Sequence, residues 1–171
     1  PIGLPIGLEP QDVKMLFAVY RTLVLLSKAG DVYVLGYLSG ALDGNGAVQG
    51  TTGMNSWQRV KLDATTYLTG VKNVRGQSAR ANYNAFVAET NDGKMYTWGA
   101  STFLGDGTGS AYRSYATEMT LPDDVKSKGI KMIGVTGGIT GGSSYNTYYV
   151  LSNSGNLYAM GDNKNYQCGA F

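Results

Sequence analysis

Adjacent carboxylates occur once in this chain, at Asp123-Asp124, and they are the first residues that could do chemistry. A carboxylate pair can divide general-acid and general-base work. Two acids directly after Pro122, however, are more simply read as complementing the positive start of a short helix. Asp43-Gly44-Asn45-Gly46 and Asp106-Gly107-Thr108-Gly109 resemble pieces of calcium loops. They lack the further spaced carboxylates and the terminal bidentate Glu of an oxygen cage, so turn chemistry accounts for them better. The chain has no His and a single Cys, Cys168. It therefore lacks the most used general base and metal ligand, and it can form neither an internal disulfide nor a Cys-based zinc site. No enzymatic activity, cofactor or metal is expected.

Two stretches carry residue types suited to recognition. Tyr112, Arg113 and Tyr115, in Tyr112-Arg113-Ser114-Tyr115, combine large contact area with directional polar groups, as interface anchors do. Ordinary strand-edge aromatic pairing is the alternative. The second stretch is a Gly-rich excursion from Val135 to Ser144 leading into Tyr145, with Gly141, Ser143, Ser144 and Tyr145 as candidate binding residues. A plain connector is its alternative, and it is no phosphate cradle, because no Lys follows its glycines. Lys14, Lys72 and Lys131 recur at one strand position and read as a solvent-facing row.

These residues must be positioned by a repeat. Leu26 to Gly46, Glu89 to Gly109 and Leu151 to Phe171 align without gaps, at intervals of 63 and 62 residues read from Gly30, Gly93 and Gly155. Tyr33, Tyr96 and Tyr158 form a second column, and Gly36, Gly99 and Gly161 a third. Upstream, Val13-Lys14-Met15-Leu16, Val71-Lys72-Asn73-Val74 and Ile130-Lys131-Met132-Ile133 open each copy with the period of two that marks a half-buried strand. A second strand is expected at Tyr20 to Leu25, Tyr83 to Ala88 and Tyr145 to Val150. A Gly-centred hairpin turn then leads to a third at Val32 to Leu35, Met95 to Trp98 and Leu157 to Met160. A polar fourth strand fits Trp57 to Leu62 and Tyr115 to Leu121, with one short helical turn after Pro122. Each unit thus reads as a four-stranded antiparallel sheet, its polar strand outermost. The units span about 11–62, 70–121 and 129–171, the last without its fourth strand. Residues 1–10 (PIGLPIGLEP) read as a linker or N-terminal extension able to lend a strand to a neighbour.

Composition agrees with short strands and tight turns. Charged residues make up 15% of the 171, Tyr number 13 and Gly 25, the last about double the usual share. A net charge of +2 creates no basic field for nucleic acid. No apolar run is long enough for a spanning helix, so no membrane insertion is expected. Pro1 in place of an initiator Met points to a processed or excised fragment.

The pattern Val-Lys-x-Ile, Tyr-x-Thr and Asp-Gly-x-x-Tyr-x-Trp-Gly resembles the propeller repeat of the regulator of chromosome condensation family. Met95-Tyr96-Thr97-Trp98-Gly99 matches the third-strand ending of that family, and Gly161-Asp162-Asn163 with Gln167-Cys168-Gly169 matches the turn that follows. The family's frequent His-Thr pair is replaced here by Arg21-Thr22, Asn84-Ala85 and Asn146-Thr147. The resemblance implies an all-β, partial β-propeller of three tandem blades, part of a longer chain or of a self-associating assembly. The expected function is non-enzymatic recognition of a protein or carbohydrate ligand through variable inter-strand loops. The first reading is an adhesin-like protein, secreted or at the surface of a bacterial cell. The alternatives are the receptor-binding tip of a phage fibre or pilus, and an exchange-factor-like regulator of a small GTPase.

Overall fold

The structure, a computed structural model, describes residues 1–20, 22–36, 44–46, 54–78, 84–140 and 143–162. They form three antiparallel sheets in chain order. The first contains β1 (Val13–Val19), β2 (Thr22–Ser27), β3 (Val32–Gly36) and β4 (Met54–Arg59). The second contains β5 (Val71–Gln77), β6 (Ala85–Thr90), β7 (Met95–Thr102) and β8 (Ala111–Glu118). In the third, β9 (Ile130–Thr140), β10 (Ser143–Ser152) and β11 (Leu157–Gly161) pair in the order β11-β10-β9. One helix, α1 (Asp123–Lys128), precedes the third sheet where Pro122 and the two acids predict a helical turn. The third sheet has three strands among the described residues, and residues 163–171 lie outside them.

Gly30, Gly93 and Gly155 do the same work in each sheet. Their φ values are +92°, +83° and +96°, a region closed to most L side chains and open to glycine. Each N–H donates to the last residue of the second strand: Gly30 to Ser27, Gly93 to Thr90 and Gly155 to Ser152. The third-strand column is a second site of close approach. At Gly99, with φ +113°, a Cβ would stand 2.3 Å from the Asn84 carbonyl oxygen. At Gly161 it would stand 2.4 Å from that of Asn146. Only glycine lets the chain pass over the start of the second strand there.

The core consists of the two spaces between sheets. Val24, Leu26, Val32 and Val34 of the first sheet meet Val74, Phe86, Ala88 and Trp98 of the second, and each is 0% exposed. Val87 and Met95, on the opposite face of the second sheet, meet Ile133, Tyr148 and Val150 of the third, together with Leu121 and Val125 from the connection. β6 is therefore buried at every position, its alternate residues serving different interfaces. Phe86 and Trp98 stack with centroids 5.4 Å apart, and burying a ring such as Phe86 contributes about 1.5–3 kcal/mol.

Strand limits depart from the sequence pattern in instructive ways. The fourth strands end at Arg59 and Glu118, about three residues before the expected ends. The chain then leaves the sheet, and Val60 and Met119 tuck into the interfaces. β7 continues past Gly99 to Thr102, with its register shifted about that glycine. The row of lysines is also uneven. Lys14 and Lys131 are exposed, whereas Lys72 is half-buried with its Nζ 3.7 Å from the buried carboxylate of Glu89. Residues 1–9 contain no strand and lie on the first sheet, where Trp57 Nε1–H donates to the Gly3 carbonyl at 2.7 Å and Pro5 is buried.

Candidate binding face

Antiparallel order sends the β1–β2, β3–β4, β5–β6, β7–β8 and β9–β10 connections to one end of the sheets and the short glycine turns to the other. The recognition candidates among the described residues, Tyr112, Arg113, Tyr115, Ser143, Ser144 and Tyr145, belong to strands that start or end toward the first end. Variable connections on a fixed frame are where recognition concentrates, and this frame is cross-braced just beneath them.

Asn146 is the centre of the bracing. Its side chain is completely buried in β10, and its Nδ2 donates to the carbonyls of Ala100 at 2.6 Å and Ser101 at 3.0 Å on the neighbouring sheet. Its Oδ1 accepts from Gln77 Nε2 of β5. All three hydrogen bonds cross between sheets, so a buried amide that would otherwise be costly is satisfied. Ser101 has φ +52°, and the Asn146 bond holds its carbonyl in place. Thr147 donates from Oγ1 to the Asp162 carbonyl at 2.7 Å. In the first interface, Asn84 Nδ2 reaches Thr22 Oγ1 at 3.2 Å. Asn84 and Asn146 occupy the column where the resembled family often has His, and Asn supplies the inter-sheet donor here.

The Gly-rich excursion is corrected by the structure. Val135 to Thr140 pairs in regular register with Tyr148 to Ser143, so most of that stretch is hairpin strand. Gly137 within it serves packing, whereas Gly138 has open space beside it. A Cβ on Gly137 would fall 2.5 Å from both Asn146 Oδ1 and the Gln77 amide, so glycine leaves room for the Gln77–Asn146 bond. Tyr145 sits opposite Gly138 and is half-buried, and Ser143 and Ser144 pair with Thr140 and Ile139. Gly141 lies outside the described residues.

The Tyr112 to Tyr115 stretch is the start of β8. Arg113 is turned inward: its guanidinium donates to the Thr102 carbonyl and Oγ1, each at 2.7 Å, and so serves the β7–β8 pairing. The Tyr115 ring lies over Gly46, where a Cβ would be 2.1 Å from it. The Gly46 N–H donates to the Ser114 carbonyl at 2.9 Å. Tyr115 thus helps join the first sheet's β3–β4 connection to the second sheet. Tyr112 is the member displayed to solvent, at 45% exposure, and Tyr20 at the end of β1 is a second exposed ring, at 40%. Sequence reasoning missed Tyr20 because it was placed inside β2; its position at the break between two apolar strands was the available signal. Tyr112 lies on an outermost strand and Tyr145 on a second strand, both toward this end of the molecule.

The acidic motifs are structural. Asp106 accepts from the Thr108 N–H at 3.0 Å and from its hydroxyl, which hold its carboxyl below the usual range. Asp124 accepts from Ser154 Oγ at 2.6 Å, Tyr158 Oη at 2.9 Å and Asn156 Nδ2 at 3.3 Å. The Ser154 bond is the main cause of its lowered pKa, and the cluster ties α1 to the third sheet's glycine turn. Asp43 and Cys168 fall outside the described residues. Among the described residues no cluster of His, Cys, Asp and Glu suits a metal ion, and no helix is long and apolar enough to cross a membrane.

Sheet order, the glycine columns and the interlocked cores define an RCC1-like β-propeller fold, present here as successive blades. Among solved structures, the chain superposes on yeast RCC1 (Prp20) bound to Kap60 with a TM-score of 0.63 at 18% identity, covering 98% of this chain and 33% of that one. Prp20p from Saccharomyces cerevisiae, in a structure described with its binding to Gsp1p and histones, gives 0.61 at 16% identity, covering 98% and 37%. Human WBSCR16 gives 0.62 at 18% identity, covering 91% and 34%. The chain spans about a third of the length of these structures. No family model matches the sequence, and no curated protein matches it.

Proposed function

We propose that this chain is a non-enzymatic protein-recognition module that presents the hairpin end of its blades to a protein partner. The observation that carries this reading is the cross-bracing of that end, by Asn146 between the second and third blades and by Asn84 with Thr22 between the first and second, where the exposed rings of Tyr20 and Tyr112 also lie. A pre-positioned frame with projecting aromatic rings limits the entropy lost on binding. Among specific roles, regulation of a small GTPase is favoured over surface adhesion. The fold is that of Prp20p, whose structure is described with binding to Gsp1p and histones, and the comparisons lend nothing to carbohydrate binding.

The test is direct. Purified chain is assayed for binding to Gsp1p and to histones, and for acceleration of nucleotide release from Gsp1p. Saturable protein binding that Tyr112→Ala weakens about tenfold supports the reading, since exposed aromatic anchors carry interface energy of that order. Accelerated release supports the GTPase role in particular. Selective capture on a glycan array with no protein binding overturns it.

A further inference from the structure

The two outward faces of the three-blade unit repeat the two sides of its internal interfaces. On the first blade, Leu16 is 60% exposed, yet its counterparts Val74 and Ile133 are buried in the first and second interfaces. Leu4 stands as far before Val13 as Leu62 does before Val71 and Leu121 before Ile130; Ile2 likewise matches Val60 and Met119. Val60, Met119 and Leu121 are buried and Leu62 is partly buried, whereas Ile2 and Leu4 are 68% and 38% exposed. Geometry supports this alignment. The Gly3 carbonyl meets the side chain of Trp57, as the Lys61 carbonyl meets the N–H of Ala116, the counterpart of Trp57 in β8.

The outward face of the third blade carries the opposite side. Leu157 is 66% exposed, and its counterparts Val32 and Met95 are each 0% exposed. Leu151 is half-buried, where Leu26 and Glu89 are buried at 0% and 3%. Met132 is 54% exposed, and its counterpart Met15 packs on the first core. Leu151 pairs with both Leu157 and Met132, so these three side chains form one apolar row across the sheet. Five of the nine exposed large hydrophobic residues among those described, Ile2, Leu4, Leu16, Met132 and Leu157, belong to the two outward faces.

We propose that these faces bind each other between two copies of the chain, the third blade of one copy packing on the first blade of its partner as successive blades pack within the chain. The occupant is set by continuity. The row at Leu151 repeats a surface that twice accepts a blade of this same repeat, and the first blade of a second copy supplies the matching columns. Such a contact joins different surfaces head to tail, and it terminates only if the rotation closes. Were the rotation to close with two copies, the ring would hold six of these blades, within the range of about 4–8 that propellers use.

The experiment measures mass in solution by sedimentation velocity over a wide concentration range, on the full chain and on Leu157→Lys and Leu16→Lys. Both substituted side chains are exposed in the single copy, so circular dichroism is expected to stay unchanged; Met132→Lys replaces Leu157→Lys should that variant misfold. The expected result is a concentration-dependent dimer whose association each substitution weakens about tenfold or more, because a charge is placed in an apolar contact. Mixing the two variants then restores one intact contact per pair and returns a dimer. A monomer at every concentration, association that neither variant alters, or a mixture that stays monomeric overturns the proposal.

Discussion

The hydroxyls of Tyr148 and Thr97 lie 2.7 Å apart in the completely buried interface between the second and third blades. Thr97 Oγ1 also lies 2.8 Å from the Phe86 carbonyl and donates its one proton there, so it accepts from Tyr148. In the first interface the same two columns hold Phe86 and Val34, and no hydroxyl is present. One scaffold position is therefore filled once by an apolar pair and once by a hydrogen-bonded pair.

That relationship predicts a double-mutant cycle. Tyr148→Phe leaves Thr97 without its buried donor and is expected to cost about 1 kcal/mol, near the net value of one hydrogen bond. Thr97→Val strands the Tyr148 hydroxyl and is expected to cost about 1–3 kcal/mol. The double variant reproduces the first interface and is expected to lie much closer to wild type than the sum of its parts. Urea denaturation of the four proteins checks this, and strict additivity would contradict it.

Two side chains set opposite pH limits. The hydrogen bonds on Asp124, led by Ser154, lower its pKa in the folded state. Its contribution is therefore present above the ordinary carboxylate value and is lost as pH falls through the folded one. Burial raises the Tyr148 pKa well above the ordinary tyrosine value of 10.0. The unfolded chain thus releases that proton first, and stability falls as pH rises past the ordinary value. Asp124→Asn is expected to flatten the acid limb of stability against pH, and Tyr148→Phe the alkaline limb. Denaturation midpoints across pH are the measurement, and an unchanged limb in either variant contradicts the assignment.

Glycine columns separate two kinds of constraint. Gly93→Ala meets no atom within 4 Å but keeps a φ of +83°, so about 1–2 kcal/mol is expected from backbone conformation alone. Gly99→Ala adds a Cβ 2.3 Å from the Asn84 carbonyl oxygen and is expected to cost clearly more. Thermal unfolding of the two variants compares them, and equal losses would contradict the close approach.

Asn146→Ala removes a buried group that satisfies the carbonyls of Ala100 and Ser101 and the amide of Gln77. A loss of about 1–3 kcal/mol is expected from the stranded partners, with faster amide exchange confined to the hairpin end. Uniform loosening of every strand would argue against local bracing.

The repeat was legible because its signals are local. Gly30, Gly93 and Gly155 mark one turn, and β1 shows its period of two directly, alternating half-buried and exposed residues. Two features were hidden because they depend on partners remote in sequence. Gly137 and Gly138 read as loop residues, since only the position of Gln77 shows that Gly137 is required inside a strand. Arg113 reads as an interface anchor, and only β7 shows its guanidinium satisfied by Thr102.

Hydrogen exchange along β6 tests the stacked-blade account most directly, because both faces of that strand are covered by neighbouring blades. Amides of Phe86, Val87 and Ala88 are expected to exchange only through global unfolding, far more slowly than those of β1, where alternate side chains face solvent. Exchange on β6 as fast as on β1 would contradict the packing of the second blade between the first and third.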